Sequence, residues 1–200
     1  GNPDSPQSIV YDHSEKGLSA ELLADIGFGT DTSAGATGAY WQSDDAWVVT
    51  GGQAVLQGSN NGGSASGNEY IQQSSSNGSV ATSPLTSGKL YKVTGTLIVT
   101  SFNTSEKLQF MAASSNTVTV VANSAGVGTH SFSEYFVADG TTAQFRSVNS
   151  GADSNIALDN ISCKEVLMGN HATTVFYGDD LQDGTWNNDD FDDGSELVTN

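Results

Sequence analysis

Between Trp41 and Val166 the sequence is divided into short segments of alternating polarity, and this division is the strongest constraint on its fold. Side chains on a β-strand point alternately to the two faces of a sheet, so these segments are predicted to be half-buried strands. Turn-forming residues stand between them. The predicted strands cover residues 47–50, 53–56, 70–73, 90–101, 107–112, 117–122, 128–137, 142–148 and 156–166.

The turns and the alternation agree with an all-β architecture. Gly51-Gly52 separates two of the strands and predicts a tight hairpin. Within 90–101, one face is predicted to carry Tyr91, Val93, Gly95, Leu97 and Val99. Roughly ten such strands, each with one apolar face, predict two sheets packed as a sandwich. Glu21–Asp25 fits either one helical turn or a further strand, and we favour the strand.

The two ends of the chain lack this pattern. Residues 1–19 are polar and contain Pro3 and Pro6, which predicts an N-terminal extension before a domain at 20–166. Residues 167–200 contain eight acidic residues, no lysine or arginine, and few apolar residues. Such a segment cannot bury a core of its own, so it is predicted to be an acidic arm or linker that orders against a partner.

Charge and cysteine content exclude several classes of function. The chain has six lysines and arginines against 23 acidic residues, a formal net charge of −17. Neutralising nucleic-acid phosphates or anionic lipid headgroups requires basic residues, so we expect neither nucleic acid nor a membrane as partner.

Cys163 is the only cysteine, which excludes an intramolecular disulfide. It stands in a predicted strand, where we interpret it as a small buried apolar residue.

Four motifs follow one another through residues 20–166. They are Glu21–Phe28 (ELLADIGF), Trp47–Ala54 (WVVTGGQA), Leu85–Val93 (LTSGKLYKV) and Ile156–Val166 (IALDNISCKEV). In content and order they resemble the motifs of carbohydrate-binding-module-like jelly rolls of the CBM4/9 type. Such modules occur in bacterial glycoside hydrolases and in phage tail-fibre and other virion proteins. The resemblance implies that the sandwich is a two-sheet jelly roll flanked by extended arms.

The resemblance also implies a structural calcium ion. In the resembling modules, the aspartate of the closing motif helps to hold Ca²⁺ near the first strand, and here that aspartate is Asp159. Glu21 is the nearest carboxylate by alignment, so we expect Glu21 and Asp159 to share the ion. Ca²⁺ prefers several hard oxygen ligands, which carboxylates supply. The alternative is that Asp159 accepts hydrogen bonds from nearby backbone amides.

Sugar binding requires exposed aromatic rings, because pyranose rings stack on flat π faces while amides and hydroxyls contact their edges. The candidates are Tyr40, Trp41 and Tyr70, each of which could instead pack in the core. Trp41 lies in a Gly-rich insert and is expected to be exposed.

Asp44 and Asp45 are adjacent, so in a strand they would point to opposite faces and could not act as a catalytic pair. We therefore predict no catalytic residues and no enzymatic activity.

These features favour a virion structural or appendage protein, such as a capsid decoration, fibre or tail component. Its expected partners are neighbouring copies, in a homo-oligomer, other virion or filament proteins, and surface glycans, in a virion or extracellular setting. The alternatives are an accessory carbohydrate-binding module of a secreted bacterial enzyme or adhesin, and a subunit of an extracellular filament. Glu196–Asn200 (ELVTN) repeats the opening motif, so we expect the chain to be a segment of a longer tandem-module protein.

Overall fold

Strands dominate the computed structural model, which describes residues 17–80, 82–112 and 115–167. Within these residues, no helix is long and apolar enough to cross a membrane. Most of the predicted N-terminal extension and acidic arm lies outside the described residues. The described part forms ten strands: β1 Gln42–Ser43, β2 Trp47–Thr50, β3 Gln53–Gln57, β4 Glu69–Gln73, β5 Leu90–Ser101, β6 Lys107–Met111, β7 Thr117–Ala122, β8 Gly128–Val137, β9 Ala143–Val148 and β10 Asn155–Glu165.

In the described residues, these strands form two five-stranded sheets. The first sheet has the strand order β1-β4-β9-β6-β7, and the second has the order β2-β3-β10-β5-β8. Neighbouring strands pair antiparallel throughout both sheets. The chain passes repeatedly from one sheet to the other, which gives a β-sandwich of the jelly-roll type. The predicted fold class, an all-β jelly-roll sandwich, is confirmed.

Aromatic and aliphatic side chains from the inner faces of both sheets meet in one core. Phe110 of β6 packs edge-on against Phe145 of β9 at 4.9 Å and against Phe136 of β8 at 5.2 Å between ring centroids. The contact between Phe110 and Phe136 joins the two sheets, because β6 and β8 belong to different sheets. Each fully buried large apolar side chain contributes about 1.5–3 kcal/mol to folding, so this core supplies most of the driving force.

Local sequence signals predict several details of the strands correctly. Gly51 and Gly52 have φ of 61° and 80° and connect β2 to β3, as the predicted hairpin requires. The predicted apolar face of β5 points inward, because Tyr91, Val93, Leu97 and Val99 are buried. Cys163 is fully buried in β10, also as predicted.

The favoured strand at Glu21–Asp25 is wrong. This segment lies along β10 and makes one backbone hydrogen bond to it, from the Leu22 amide to the Cys163 carbonyl at 3.1 Å, but it forms bends rather than a strand. The carboxylate of Glu21 takes over the pairing, since it accepts the backbone amide of Cys163 at 2.8 Å. A carboxylate that accepts a strand amide in this way replaces one of the backbone hydrogen bonds that a paired strand would make.

Candidate functional site

The outer face of the first sheet carries a row of glutamine side chains that are hydrogen-bonded to one another. Gln42, Gln72 and Gln144 are cross-strand neighbours on β1, β4 and β9. The Gln144 side-chain amide donates to Oε1 of Gln72 at 3.1 Å, and that of Gln72 donates to Oε1 of Gln42 at 3.0 Å. Each amide is thereby held in one orientation. We call this surface the amide face.

A second row crosses the amide face two residues along each strand. Tyr70 of β4, Arg146 of β9, Gln109 of β6 and Thr119 of β7 are successive cross-strand neighbours. Nη2 of Arg146 lies 3.4 Å from Oε1 of Gln109, a long hydrogen bond. The two rows together place one aromatic ring, one guanidinium and several amides on the same side of the sheet. Amides, hydroxyls and an aromatic ring are the groups that contact sugars.

The three aromatic residues predicted to bind sugar differ in their burial. Tyr70 is half-buried on the amide face, and Tyr40 is half-buried against the core. The expected exposure of Trp41 is wrong, because its side chain is fully buried. Its ring packs on Phe28 at 5.0 Å, and its Nε1 donates to the Asp25 carbonyl at 3.2 Å. A ring enclosed in this way offers no face to a sugar. Sugar contact by Tyr40 and Tyr70 stays a prediction.

The Gly-rich insert before Trp41 explains its burial. The Gly38 amide donates to the Trp41 carbonyl at 2.8 Å, so the chain turns back on itself at this point. A Cβ at Gly38 would lie 2.2 Å from Oγ1 of Thr32, which makes glycine necessary for this close approach. The glycines of this insert predicted an exposed Trp41, whereas they allow the loop to pack tightly around it.

An acidic cluster lies at the edge of the first sheet that β1 and β4 form. It consists of Asp44, Asp45 and Glu69, and one carboxylate oxygen from each lies within 4.8 Å of the other two. The expectation that Asp44 and Asp45 point apart is wrong, because they stand in a turn after β1 and not in a strand. Oδ1 of Asp44 accepts the Ala46 amide at 3.1 Å, a typical Asx turn. The Ser-Asp-Asp run was the available signal for this turn.

Burial and charge both act on Asp44. Desolvation raises its pKa from 3.8 to about 6, and the nearby carboxylate of Glu69 adds to the increase. Hydrogen bonds from the backbone amides of Tyr70 and Ala46 act in the opposite direction. Glu69 accepts the Ser66 amide at 2.8 Å. The carboxylates thus hold loop backbone in place, and the three together have the spacing to share one metal ion.

The predicted calcium ligands Glu21 and Asp159 have protein partners in the structure. Both oxygens of Glu21 accept hydrogen bonds from β10, one from the Cys163 amide and one from the Ser162 hydroxyl. Oδ1 of Asp159 accepts the Asn160 amide at 2.7 Å, at a bulge where Asn160 has φ of 49°. This is the local hydrogen bond weighed against the calcium hypothesis. A calcium ion shared by Glu21 and Asp159 stays a prediction.

The second sheet has a surface depression of about 360 Å³ over β2 and β3. Val48 and Val55 line it together with glycines, and Asp45 of the acidic cluster reaches its rim. Its volume suits a small ligand. Its lining contains no aromatic side chain, so a sugar ring has nothing to stack on there. The amide face is therefore the better candidate for a glycan site.

No family model matches the chain, and no curated protein matches it. Among solved structures, a CBM4 structure has a TM-score of 0.45 and 10% identity, with 72% of this chain and 99% of that chain covered. An arabinose-bound GH51 α-L-arabinofuranosidase has a TM-score of 0.45 and 14% identity, with 76% of this chain but 27% of the enzyme covered. The enzymatically active domain of tailspike protein 4 of bacteriophage CBA120 has a TM-score of 0.38 and 11% identity, with 73% of this chain and 21% of the tailspike chain covered.

Proposed function

We propose that this chain is a non-catalytic glycan-binding module whose ligand lies across the amide face. The observation that carries the proposal is the pair of oriented, half-buried amides of Gln42 and Gln72, next to Tyr70 on the same face; Gln144 is buried and holds the Gln72 amide in place. Sugar hydroxyls both donate and accept hydrogen bonds, so amides held in fixed orientation match them without a further loss of side-chain entropy. The ring of Tyr70 supplies the surface for stacking.

The acidic cluster supports the non-catalytic part of this proposal. Glycosidases place two carboxyl groups on opposite sides of the bound sugar. Here both oxygens of Asp44 and one oxygen of Glu69 accept backbone amides of the surrounding loops. These hydrogen bonds tie the groups to the β1–β2 turn and the loop before β4, and this use as loop anchors accounts for their proximity.

The test is a glycan array followed by isothermal titration calorimetry with the soluble oligosaccharides that bind. We expect micromolar binding that weakens roughly tenfold in Tyr70→Ala, because one stacking ring and its apolar contact are lost. Tyr135→Ala is the matched control, since Tyr135 is 42% exposed on β8 of the second sheet. The absence of any bound glycan, or equal losses in both variants, would refute the proposal.

A second candidate function is assembly of copies into a virion appendage or an extracellular filament. Strand β8 forms an edge of the second sheet and is ten residues long. Val127, Tyr135 and Val137 on and before this strand are 73%, 42% and 47% exposed. Long edges with exposed apolar residues favour pairing with another chain. Analytical ultracentrifugation tests this: wild type should associate, and Val137→Lys should be monomeric.

Calcium is the cation we propose for the acidic cluster. Carboxylate oxygens of Asp44, Asp45 and Glu69 are hard ligands, and Ca²⁺ accepts irregular arrangements of them. A bound cation would also relieve the repulsion among three close carboxylates. The melting temperature should then fall when EGTA removes calcium, and Asp45→Asn should abolish this effect. A melting temperature that EGTA leaves unchanged in the wild type would exclude calcium here.

A further inference from the structure

Two of the few basic residues of this chain lie close together on the amide face. The chain carries a net charge of −17 with only six lysines and arginines. Two of the six, Lys107 and Arg146, lie on the amide face, on the adjacent strands β6 and β9. Lys107 is the cross-strand partner of Val148, which places it diagonally from Arg146 at a separation of about 7–8 Å. The candidate site thus has two cations close together, and a second pair, Lys92 and Lys164, lies on the second sheet.

Neither cation is neutralised by the part of the chain that the structure describes. There, the ion pair found joins Lys89 to Glu165 at 3.1 Å, away from the amide face. An arginine held without a carboxylate retains the capacity to pair with an anion from outside.

The guanidinium of Arg146 is also incompletely hydrogen-bonded. Its Nε is buried and has no hydrogen-bond partner among the described residues. Its Nη2 makes only the 3.4 Å contact with Gln109. Because Nε is shielded from solvent, a ligand from outside would meet the Nη atoms, whose hydrogen-bonding capacity the long contact with Gln109 uses only in part. The planar fork of donors fits a carboxylate or a sulfate, both of which offer paired oxygens.

We infer that the glycan bound by the amide face is acidic, with Arg146 pairing with a carboxylate or sulfate group on a sugar and Lys107 adding a second positive charge. The inference rests on the proposed function, since it concerns the same face. Tyr70 is the cross-strand neighbour of Arg146, so a ring stacked on Tyr70 would present its substituents beside the guanidinium. The half-buried amides of Gln42 and Gln72 then contact neutral hydroxyls of adjoining sugars.

The experiment compares each acidic oligosaccharide with its neutralised counterpart. The probes are short oligomers of galacturonan, alginate and hyaluronan, with their carboxyl-reduced forms, and of chondroitin sulfate, with its desulfated form. Isothermal titration calorimetry with the full chain at physiological ionic strength gives the affinities. We expect at least one acidic probe to bind roughly tenfold more tightly than its counterpart, because a charge-assisted pair is formed. Carboxylate and sulfate probes distinguish the two kinds of anion.

Variants assign the effect to the two cations. Arg146→Gln should abolish the preference for the acidic probe, and Lys107→Gln should reduce it. Arg146→Lys keeps the charge without the fork and should retain part of the preference. Lys92→Gln is the matched control, because it removes one positive charge from β5 of the second sheet and should change nothing. Circular dichroism and thermal melting verify that each variant is folded.

The outcomes separate this inference from the proposed function. Equal affinity for acidic and neutral probes, with a loss in Tyr70→Ala, would overturn the acidic preference and leave glycan binding standing. A preference that survives in Arg146→Gln, or that Lys92→Gln removes equally, would overturn the assignment to Arg146. If no probe binds, acidic or neutral, and the glycan array is also negative, both proposals fail.

Discussion

Glu21 and Cys163, which are 142 positions apart in the chain, are joined by a hydrogen bond of 2.8 Å from the Cys163 amide to Oε1 of Glu21. The same carboxylate accepts the amides of Leu22 and Leu23, both at 3.1 Å, and the Ser162 hydroxyl. One side chain therefore fastens the segment that precedes the sandwich to its last strand. The resemblance to carbohydrate-binding-module jelly rolls implied a calcium ion shared by Glu21 and Asp159, and that ion stays a prediction.

Replacing Glu21 tests this role. Glu21→Ala should lower the free energy of unfolding by about 2 kcal/mol or more, because hydrogen bonds to a charged acceptor are lost and the Cys163 amide is left without that partner. Urea denaturation measures the change. Asp159→Asn is the control and should cost less, since Asp159 bonds its own neighbour Asn160. The loss in Glu21→Ala should be the same with and without EGTA; a loss seen only with calcium present would instead support calcium binding at Glu21.

Trp41 should act through folding and not through ligand contact. Trp41→Ala should lower the free energy of unfolding by about 3–5 kcal/mol, because it leaves a large cavity next to Phe28. Trp41→Phe keeps most of the ring but removes the donor to the Asp25 carbonyl, so its cost should be smaller. Folded Trp41→Phe should bind glycans as the wild type does. A folded variant with lost affinity would contradict the buried role.

The raised pKa of Asp44 predicts a specific pH dependence. Because the folded-state pKa of about 6 exceeds the ordinary value of 3.8, the folded protein binds more protons between these values than the unfolded chain. The stability from this group is therefore present below 3.8 and is lost as the pH rises towards 6 and above. Relative to Asp44→Asn, the wild type should lose stability as the pH rises through this window.

The measurement is urea denaturation of the wild type and Asp44→Asn at a series of pH values from acidic to neutral. Asp31→Asn removes one charge at an exposed position and is the control for the change in net charge. The free energy of unfolding of this control should change with pH as that of the wild type does between pH 3.8 and about 6. If the free energies of the wild type and Asp44→Asn also change in parallel, burial does not raise the pKa of Asp44.

Gly95 should tolerate no side chain. It stands on the inner face of β5, and a Cβ there would lie 2.6 Å from Cζ of Phe132 and 3.1 Å from Cγ2 of Ile161. Gly95→Ala should therefore lower the free energy of unfolding by about 1–3 kcal/mol through overpacking. Gly27→Ala is the matched control, because a Cβ at Gly27 meets nothing within 4 Å. Thermal or urea denaturation of both variants gives the comparison. Equal stabilities would show that the Phe132 ring moves aside without a loss of stability.

Local sequence determined the strands and the class of the fold. Alternating polarity identified β5 and its inward face, since Tyr91 and Val93 are buried as predicted. The glycine pair between β2 and β3 identified the hairpin, because few residues other than glycine adopt positive φ at both positions. The closing motif also marked β10 and its buried cysteine. Each of these features depends on residues close together in the chain, so the pattern alone was sufficient.

Only the tertiary structure decided which side chains meet. Gln72 contacts Gln42 and Gln144, which are 30 and 72 positions away, so the amide face exists only once β1, β4 and β9 pair in register. The burial of Trp41 and the approach of Asp44 to Glu69 likewise depend on how loops fold over the sheets. Polarity patterns specify which face of a strand is buried, but strand order and register follow from packing across the whole core. For that reason the sequence alone indicated a sandwich with exposed aromatics, and the folded chain placed its candidate site on oriented amides and an arginine that has no carboxylate partner among the described residues.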